Sequence, residues 1–221
     1  MMDGFIRNCT GVILAGGENR RMPVLKAFIE VGGQKIIEKN LTVIKGLFKE
    51  VFIVTNEPEA YSHLGVQMLG DVYTTRGPIT GIFTSLLNSS NRWVFISACD
   101  MPFINDRLIK YMASKRKNSD AVVPVLKNKK EPLFAFYSKR LLGSMEKAVL
   151  GDKKSLKDFS RNKRVQYITA KEIKKMDPNA ASFVNLNTPE DIDLHLQTKD
   201  KARFKKNVER RGTCLVWEQQ S

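Results

Sequence analysis

The hydrophobic positions of this chain follow two alternating patterns. Short, largely apolar runs occupy residues 12–14, 51–55, 66–69 and 93–97. Runs of this kind are typical of strands that are buried in a parallel sheet. Between them, apolar residues recur at helical spacing. This spacing predicts a helix over about 35–48, a second that opens at Gly77-Pro78, and a third that begins near Asn105.

This alternation of strands and helices predicts a mostly parallel sheet with helices on both faces, which is a Rossmann-like three-layer α/β/α fold. The second half is less regular. Strands are expected at 121–126 and 133–137, on either side of a basic loop as in a hairpin, and at 165–168. Ser138, Ser155 and Thr188 are candidate helix caps. With no composition shift to mark a boundary, we expect one domain over 1–198 and a basic, partly ordered helical extension over 199–221.

A glycine pair follows the first run. Gly16 and Gly17 end this strand, and the cations Arg20, Arg21 and Lys26 follow within a few residues. Backbone without a Cβ atom can turn sharply and bring its N–H groups close to a ligand. The arrangement predicts a phosphate-binding loop, against the alternative of a simple turn with solvated cations. It is neither a P-loop, which needs Gly-Lys-Ser/Thr, nor a dinucleotide fingerprint.

Four candidate site residues lie just beyond the ends of predicted strands, namely Gly16, Asn56, Asp71 and Asp100. In an open α/β sheet, ligands bind at the carboxyl ends of the strands, so we expect these residues to converge on one cleft. Asp100 is the candidate ligand of Mg²⁺, which is commonly held by one or two carboxylates together with substrate phosphates. The simpler interpretation of each polar residue is a role in a turn.

Two further segments carry candidate binding residues. Gly77 and Gly81 lie at the start of a predicted helix, whose N-terminus presents free N–H groups; an ordinary loop-to-helix junction is the alternative. Asn185 and Asn187 alternate with apolar residues, so they share one face of an extended segment. Two amides on one face can hold a polar heterocycle or a phosphate, and backbone capping near Thr188 is the alternative.

These motifs resemble the signature of the nucleotidyltransferases that make the molybdenum cofactor, and most closely that of the molybdenum cofactor guanylyltransferases. The similarity spans about residues 10–195. Its motifs are Leu-Ala-Gly-Gly at 14–17 with Arg21-Met22 and Lys26, Gly-Pro-Ile-Thr-Gly at 77–81, Cys-Asp-Met-Pro at 99–102, and Asn-Leu-Asn-Thr-Pro at 185–189. The chain departs from the usual Arg-Met-Gly-x-Asp-Lys at Pro23 and Leu25, which removes one backbone donor and one carboxylate.

The resemblance implies a Mg²⁺-dependent transfer of GMP from GTP to molybdopterin in its molybdenum-bound form, with release of pyrophosphate. It implies catalytic roles for Lys26, Arg21 and Asp100, with Asp100 as the metal ligand, and it places Asn185 and Asn187 on the pterin side. It assigns nucleotide binding to Leu14, Ala15, Gly16, Gly17, Lys26, Asn56, Asp71, Gly77, Gly81 and Asp100. A phosphate nucleophile is already ionised near neutral pH, so the reaction needs positioning and charge neutralisation rather than a histidine base.

Composition restricts the remaining choices. The chain has two histidines, which argues against a zinc site or a histidine-based hydrolase triad, and three cysteines without metal-ligand spacing. This cysteine usage, together with no signal-peptide pattern and no apolar run near the ~20 residues that span a membrane, predicts a cytoplasmic protein. The formal net charge of +14 is unusual. No recognition-helix pattern accompanies it, so we favour solvated faces that attract phosphorylated substrates over nucleic-acid binding.

Three alternatives stay open at this point. One is a nucleotidyltransferase for another base or acceptor, such as cytidylyl transfer to molybdopterin or nucleotidyl transfer to a sugar phosphate. The others are a basic nucleic-acid-binding protein and a GTP-binding scaffold without catalysis. The expected partners are GTP and molybdopterin, and after them molybdoenzyme apoproteins or their chaperones, with no specific nucleic acid and no membrane.

Overall fold

The computed structural model describes residues 4–16, 25–74, 77–151 and 163–196, together with the single residues 201 and 208. Nearly all of the basic extension over 199–221, and the helix predicted after Ser155, lie outside the described residues. The strands in chain order are β1 (Cys9–Leu14), β2 (Glu30–Val31), β3 (Gln34–Lys35), β4 (Glu50–Val54), β5 (Gln67–Leu69), β6 (Trp93–Ala98), β7 (Ala121–Leu126), β8 (Lys129–Lys130), β9 (Phe134–Ser138) and β10 (Val165–Ile168).

The α-helices in chain order are α1 (Ile36–Leu47), α2 (Pro58–Tyr61), α3 (Pro78–Asn88), α4 (Asp106–Ser114), α5 (Leu142–Leu150), α6 (Ala170–Met176) and α7 (Pro189–His195). The predicted helices α1, α3, α4, α5 and α7 lie close to their expected positions, whereas the short α2 was not predicted. The predicted cap at Thr188 is confirmed, since its side chain accepts a hydrogen bond from the backbone N of Asp191. Ser138 caps a 3-10 turn that leads into α5. Helix α6 was not predicted, although Thr169 and Glu172 form a capping box at its start.

The main sheet has the strand order β10-β7-β9-β6-β1-β4-β5, with β8 paired to β7. Strand β1 lies parallel to both β4 and β6, and β4 lies parallel to β5. Strand β9 is antiparallel to its neighbours β6 and β7. The predicted mostly parallel sheet is therefore confirmed. Between β7 and β9 the chain adds β8, which folds back on β7, and the small β2–β3 ribbon was not predicted.

Alternate residues of the same strands serve the two faces of the sheet. Ile13 and Phe95 belong to the core beneath α1, α4 and α6, whereas Val12 and Val94 belong to the core beneath α3 and α5. Because side chains alternate along a strand, a continuously apolar strand buries both faces. This arrangement gives the three-layer α/β/α architecture that the hydrophobic pattern predicts.

A third, smaller apolar cluster ties the end of the domain to its beginning. Leu186, Ile192 and Leu196, from α7 and the segment before it, pack against Ile29 and Ile36 near the start of α1. This packing places the segment 185–187 beside the residues that follow β1. Within the described part of the chain, every helix is too short or too polar to span a bilayer.

Candidate active site

A cleft of about 520 Å³ lies along the carboxyl edge of the sheet. It is lined by every predicted nucleotide-binding residue that the structure describes: Leu14, Ala15, Gly16, Lys26, Asn56, Asp71, Gly77, Gly81 and Asp100. Gly17 and Arg21 lie outside the described residues, as do Arg20 and Pro23. The expected convergence of these positions on one cleft is thus confirmed for the described residues, while their roles stay predictions.

The topology of the sheet explains why distant residues meet here. Strands β1, β4, β5 and β6 are parallel neighbours, so their last residues all lie at the same edge. Gly16, Asn56, Asp71 and Asp100 each come two residues after the end of one of these strands. The chain leaves each strand at the same level, and the residues that follow form the floor of the cleft.

Asn56 and Asp71 hold each other in place on one wall of the cleft. The Asn56 amide Nδ2 donates to Asp71 Oδ2 at 3.0 Å, and the backbone N of Asp71 donates to Asn56 Oδ1 at 3.0 Å. Gly81 brings α3 close to this wall, because a Cβ atom there would lie 3.2 Å from a methyl carbon of Leu14. The wall is therefore built by reciprocal bonding and close packing rather than by an isolated turn.

A second cleft, of about 880 Å³, adjoins the first. Its apolar surface comes from side chains such as Tyr137, Val165 and Tyr167, and Asn185 and Asn187 lie on its lining. Its rim carries Lys163 and the lysines of the β7–β8 hairpin, which are Lys127, Lys129 and Lys130. Asp100, Ala98 and Leu133 line both clefts, so Asp100 lies at their junction.

Lys26 lies at the same junction and contacts residues from both clefts. Its Nζ donates a hydrogen bond to Asn187 Oδ1 at 2.7 Å and lies 3.8 Å from Asp100 Oδ2. Burial raises the pKa of Asp100 above its ordinary value, and the positive charge of Lys26 offsets this only in part. The Asp100 carboxylate is therefore incompletely compensated by the groups around it that the structure describes.

The segment 185–187 is anchored by its backbone. The backbone N of the buried Leu186 donates to the carbonyl O of Asp100 at 3.0 Å. The Asp191 carboxylate accepts from the backbone N of Asn187 and of Thr188, at 2.8 and 2.9 Å. The Oδ1 atom of Asn185 is buried and has no hydrogen-bond partner among the described residues. Such an atom is costly to leave unpaired, so it is a candidate contact for a ligand donor.

The junction suits a hard divalent cation that is shared with substrate phosphates. Among the described residues there is no group of three or more His, Cys, Asp or Glu side chains that could form an all-protein metal site. A single, incompletely compensated carboxylate that faces two clefts is instead the kind of ligand that Mg²⁺ uses beside phosphate oxygens. The neighbouring Cys99 is a poor ligand or nucleophile, because burial raises the pKa of its thiol to about 12.

Most residues that line the second cleft are not predicted as site residues from the sequence. Tyr137 and Tyr167 were assigned only as strand residues, and Lys127 and Lys130 only as part of the general positive charge. The predicted basic loop contains a tight turn that joins β7 to β8, in which Lys127 and Asn128 both have positive φ angles, of 48° and 62°. Lys130 then lies over the Tyr167 ring, with Nζ 5.0 Å from its centroid.

Comparison with known proteins identifies the family of this chain. The profile of the MobA-like NTP transferase domain matches residues 11–167, which include every residue that lines the first cleft. The chain belongs to the MobA-like NTP transferase family. Members of this family are nucleotidyltransferases, so this chain is an enzyme of that class, and the resemblance stated from its motifs is confirmed.

Curated relatives extend beyond the matched domain. A probable molybdenum cofactor guanylyltransferase from Natranaerobius thermophilus is 37% identical over 192 residues, which cover 84% of this chain and 94% of that protein. A molybdenum cofactor guanylyltransferase from Desulfosudis oleivorans is 34% identical over 186 residues, which cover 83% of this chain and 92% of that protein.

Solved structures of differently named proteins share this fold. The molybdopterin-guanine dinucleotide biosynthesis protein A from Archaeoglobus fulgidus superposes with a TM-score of 0.74 at 23% identity, covering 89% of this chain and 99% of that one. The 4-diphosphocytidyl-2C-methyl-D-erythritol synthase from Anaerococcus prevotii superposes with a TM-score of 0.61 at 16% identity, covering 89% and 96%. The fold is therefore common to enzymes named for different nucleotides, and it does not decide the base.

Proposed function

We propose that this chain transfers GMP from GTP to molybdopterin, which forms the guanine dinucleotide cofactor and releases pyrophosphate. The names of its curated relatives support this substrate pair. The observation that carries the proposal is the pair of clefts that meet at Asp100. A transfer between two large substrates needs two adjoining sites with the reacting groups at their boundary.

The first cleft is the proposed donor site. The triphosphate of GTP would lie against the residues that follow β1, where Gly16 would supply a backbone N–H donor. Lys26 is held at the junction and would neutralise the phosphates there. Asn56 and Asp71, fixed by their reciprocal hydrogen bonds, would contact the nucleoside on the opposite wall.

The proposed metal position is at Asp100. Its carboxylate would hold Mg²⁺, which supplies charge neutralisation at the transferring phosphate when bound. The incomplete compensation of Asp100 by Lys26 supports this assignment. Lys26 thus supplies a positive group, and Asp100 a negative group, at the boundary between the two clefts. The phosphate nucleophile of the acceptor would approach across that boundary, already ionised.

The second cleft is the proposed acceptor site. Its aromatic and aliphatic surface suits a planar pterin, and its lysine rim suits the negative charge of the acceptor. The buried Oδ1 of Asn185 would accept a hydrogen bond from a ring N–H. Asn185 therefore contributes specificity, because a ligand that lacks this donor leaves the amide oxygen unsatisfied.

A thermal-shift panel tests the choice of nucleotide. We expect GTP with Mg²⁺ to raise the melting temperature by several degrees at a concentration ~100 times its Kd, and CTP, UTP and ATP to have smaller effects. Release of pyrophosphate should then require both GTP and molybdopterin. Stabilisation by CTP or UTP without an effect of GTP would contradict the proposed base, and GTP binding without turnover would indicate a non-catalytic scaffold.

A further inference from the structure

Asn185 and Asn187 lie two residues apart on one anchored segment and both line the acceptor cleft. Their side chains nevertheless have different surroundings. Asn185 Oδ1 is buried without a hydrogen-bond partner among the described residues. Asn187 Oδ1 accepts a hydrogen bond of 2.7 Å from Lys26 Nζ. Since Lys26 lines the nucleotide cleft, only Asn187 of the two connects directly to the donor side.

The geometry around Lys26 limits what its ammonium group can do. An ammonium group has three N–H donors. One is used by Asn187 at 2.7 Å, and the Asp100 carboxylate at 3.8 Å attracts the group from a second direction. With these two partners fixed, the remaining donor capacity is available to a ligand in the nucleotide cleft. Without Asn187, Lys26 would keep one carboxylate partner and regain most of its side-chain freedom.

We propose that Asn187 is a positioning residue for the nucleotide: it holds the Lys26 ammonium beside Asp100 so that a free N–H meets a phosphate oxygen. This role differs from a contact with the pterin, because it acts through Lys26 and exists before any acceptor binds. It rests on the proposed function in one respect, which is that GTP is the nucleotide used as the ligand.

The proposal is tested by GTP binding in the absence of acceptor, measured by isothermal titration calorimetry. We expect Asn187→Ala to weaken GTP binding about 10-fold, since a hydrogen bond to a charged group is lost. Asn185→Ala is the matched control: it removes the same amide from the same segment, and its GTP affinity should stay within about 2-fold of wild type. The same contrast is expected in EDTA, because Lys26 does not need the metal to meet a phosphate.

A double-mutant cycle separates positioning from general damage. If Asn187 acts through Lys26, then Lys26→Ala with Asn187→Ala should bind GTP as weakly as Lys26→Ala alone. Additive losses, equal losses for the two asparagine variants, or a loss that appears only with Mg²⁺ would each overturn the proposal. A wild-type chain that fails to bind GTP would instead overturn the proposed function. Thermal unfolding of each variant confirms that it is folded.

Discussion

At the amino end of the parallel strands, the carboxylate of Glu50 is surrounded by hydrogen-bond donors. It accepts from the Thr10 hydroxyl, from Asn91 Nδ2 at 3.1 Å and from the backbone N of Ser90 at 3.2 Å. Burial opposes its ionisation, but these donors outweigh burial and lower the pKa of Glu50 below its ordinary value. Its charged form is therefore well compensated within the folded chain.

At the carboxyl end of the same strands, Asp100 is in the opposite situation. Burial raises its pKa, and Lys26, the cation paired with it among the described residues, is 3.8 Å away and already bonded to Asn187. The buried Oδ1 of Asn185 close by has no hydrogen-bond partner in the described ranges. The described residues therefore leave polar groups at this end incompletely satisfied.

This contrast indicates a division of roles between the two ends. The carboxylate of Glu50 is satisfied by donors of the chain itself, because an unsatisfied buried charge costs stability. Groups that serve a ligand must keep some of their bonding capacity unused until the ligand arrives. Substitutions at the two carboxylates should accordingly affect different properties.

Asp100→Ala should lower turnover at least ~1000-fold, or about 4 kcal/mol in activation free energy, since the proposed metal ligand is lost. Its melting temperature should be unchanged or slightly higher, because burial disfavours the charged form of Asp100 in the folded state. Pyrophosphate release and thermal unfolding provide the two measurements. An unfolded variant, or a loss of less than about 10-fold, would contradict the assigned role.

Glu50→Gln should show the reverse pattern. The amide has nearly the same shape, but its NH₂ group would face donors from Ser90 and Asn91, so we expect the free energy of unfolding to fall by about 1–2 kcal/mol. GTP affinity should stay within about 2-fold of wild type, because Glu50 lies at the other end of the strands. Urea unfolding and calorimetry test these two expectations. A large loss of GTP affinity in a folded variant would contradict a purely structural role for Glu50.

The stability difference between wild type and Glu50→Gln should depend on pH. The pKa of Glu50 is lower in the folded state than its ordinary value of 4.5, so the carboxylate stabilises the fold above that value. This contribution is lost as pH falls from 4.5 towards the lowered folded-state pKa. Urea unfolding of both proteins at about pH 7 and about pH 3.5 should show the difference shrinking. A difference that grows on acidification would contradict the sign.

The smallest expected effect concerns the lysine rim of the acceptor cleft. The double variant Lys127→Gln with Lys130→Gln should weaken molybdopterin binding about 5-fold at low salt, and less at ~0.5 M salt, because surface charges are screened. Lys174→Gln with Lys175→Gln removes the same charge from exposed positions of α6 outside either cleft, and should have no such effect. Equal effects of the two pairs in equilibrium dialysis would mean that only net charge matters.

Local pattern predicted much of the fold and of the first cleft. Continuous apolar runs predicted the central strands, and helical spacing and caps predicted α1, α3, α4 and α7, because both depend on neighbours within a few residues. The rule that ligands bind at the carboxyl ends of parallel strands then placed Gly16, Asn56, Asp71 and Asp100 together without any structure. Helices α2 and α6 and the β2–β3 ribbon were missed because short elements carry few periodic positions.

Contacts between distant parts of the chain could not be predicted from local pattern and are seen only in the tertiary structure. The bond between Lys26 and Asn187 joins residues separated by 161 positions, and no local pattern specifies that distance. It depends on the apolar cluster that packs Leu186 and Ile192 against Ile29 and Ile36. The position of Asp100 between two clefts likewise depends on β9 lying antiparallel beside β6. Sequence periodicity determines which face of an element is buried, whereas packing between elements determines which polar side chains meet and which are left for a ligand.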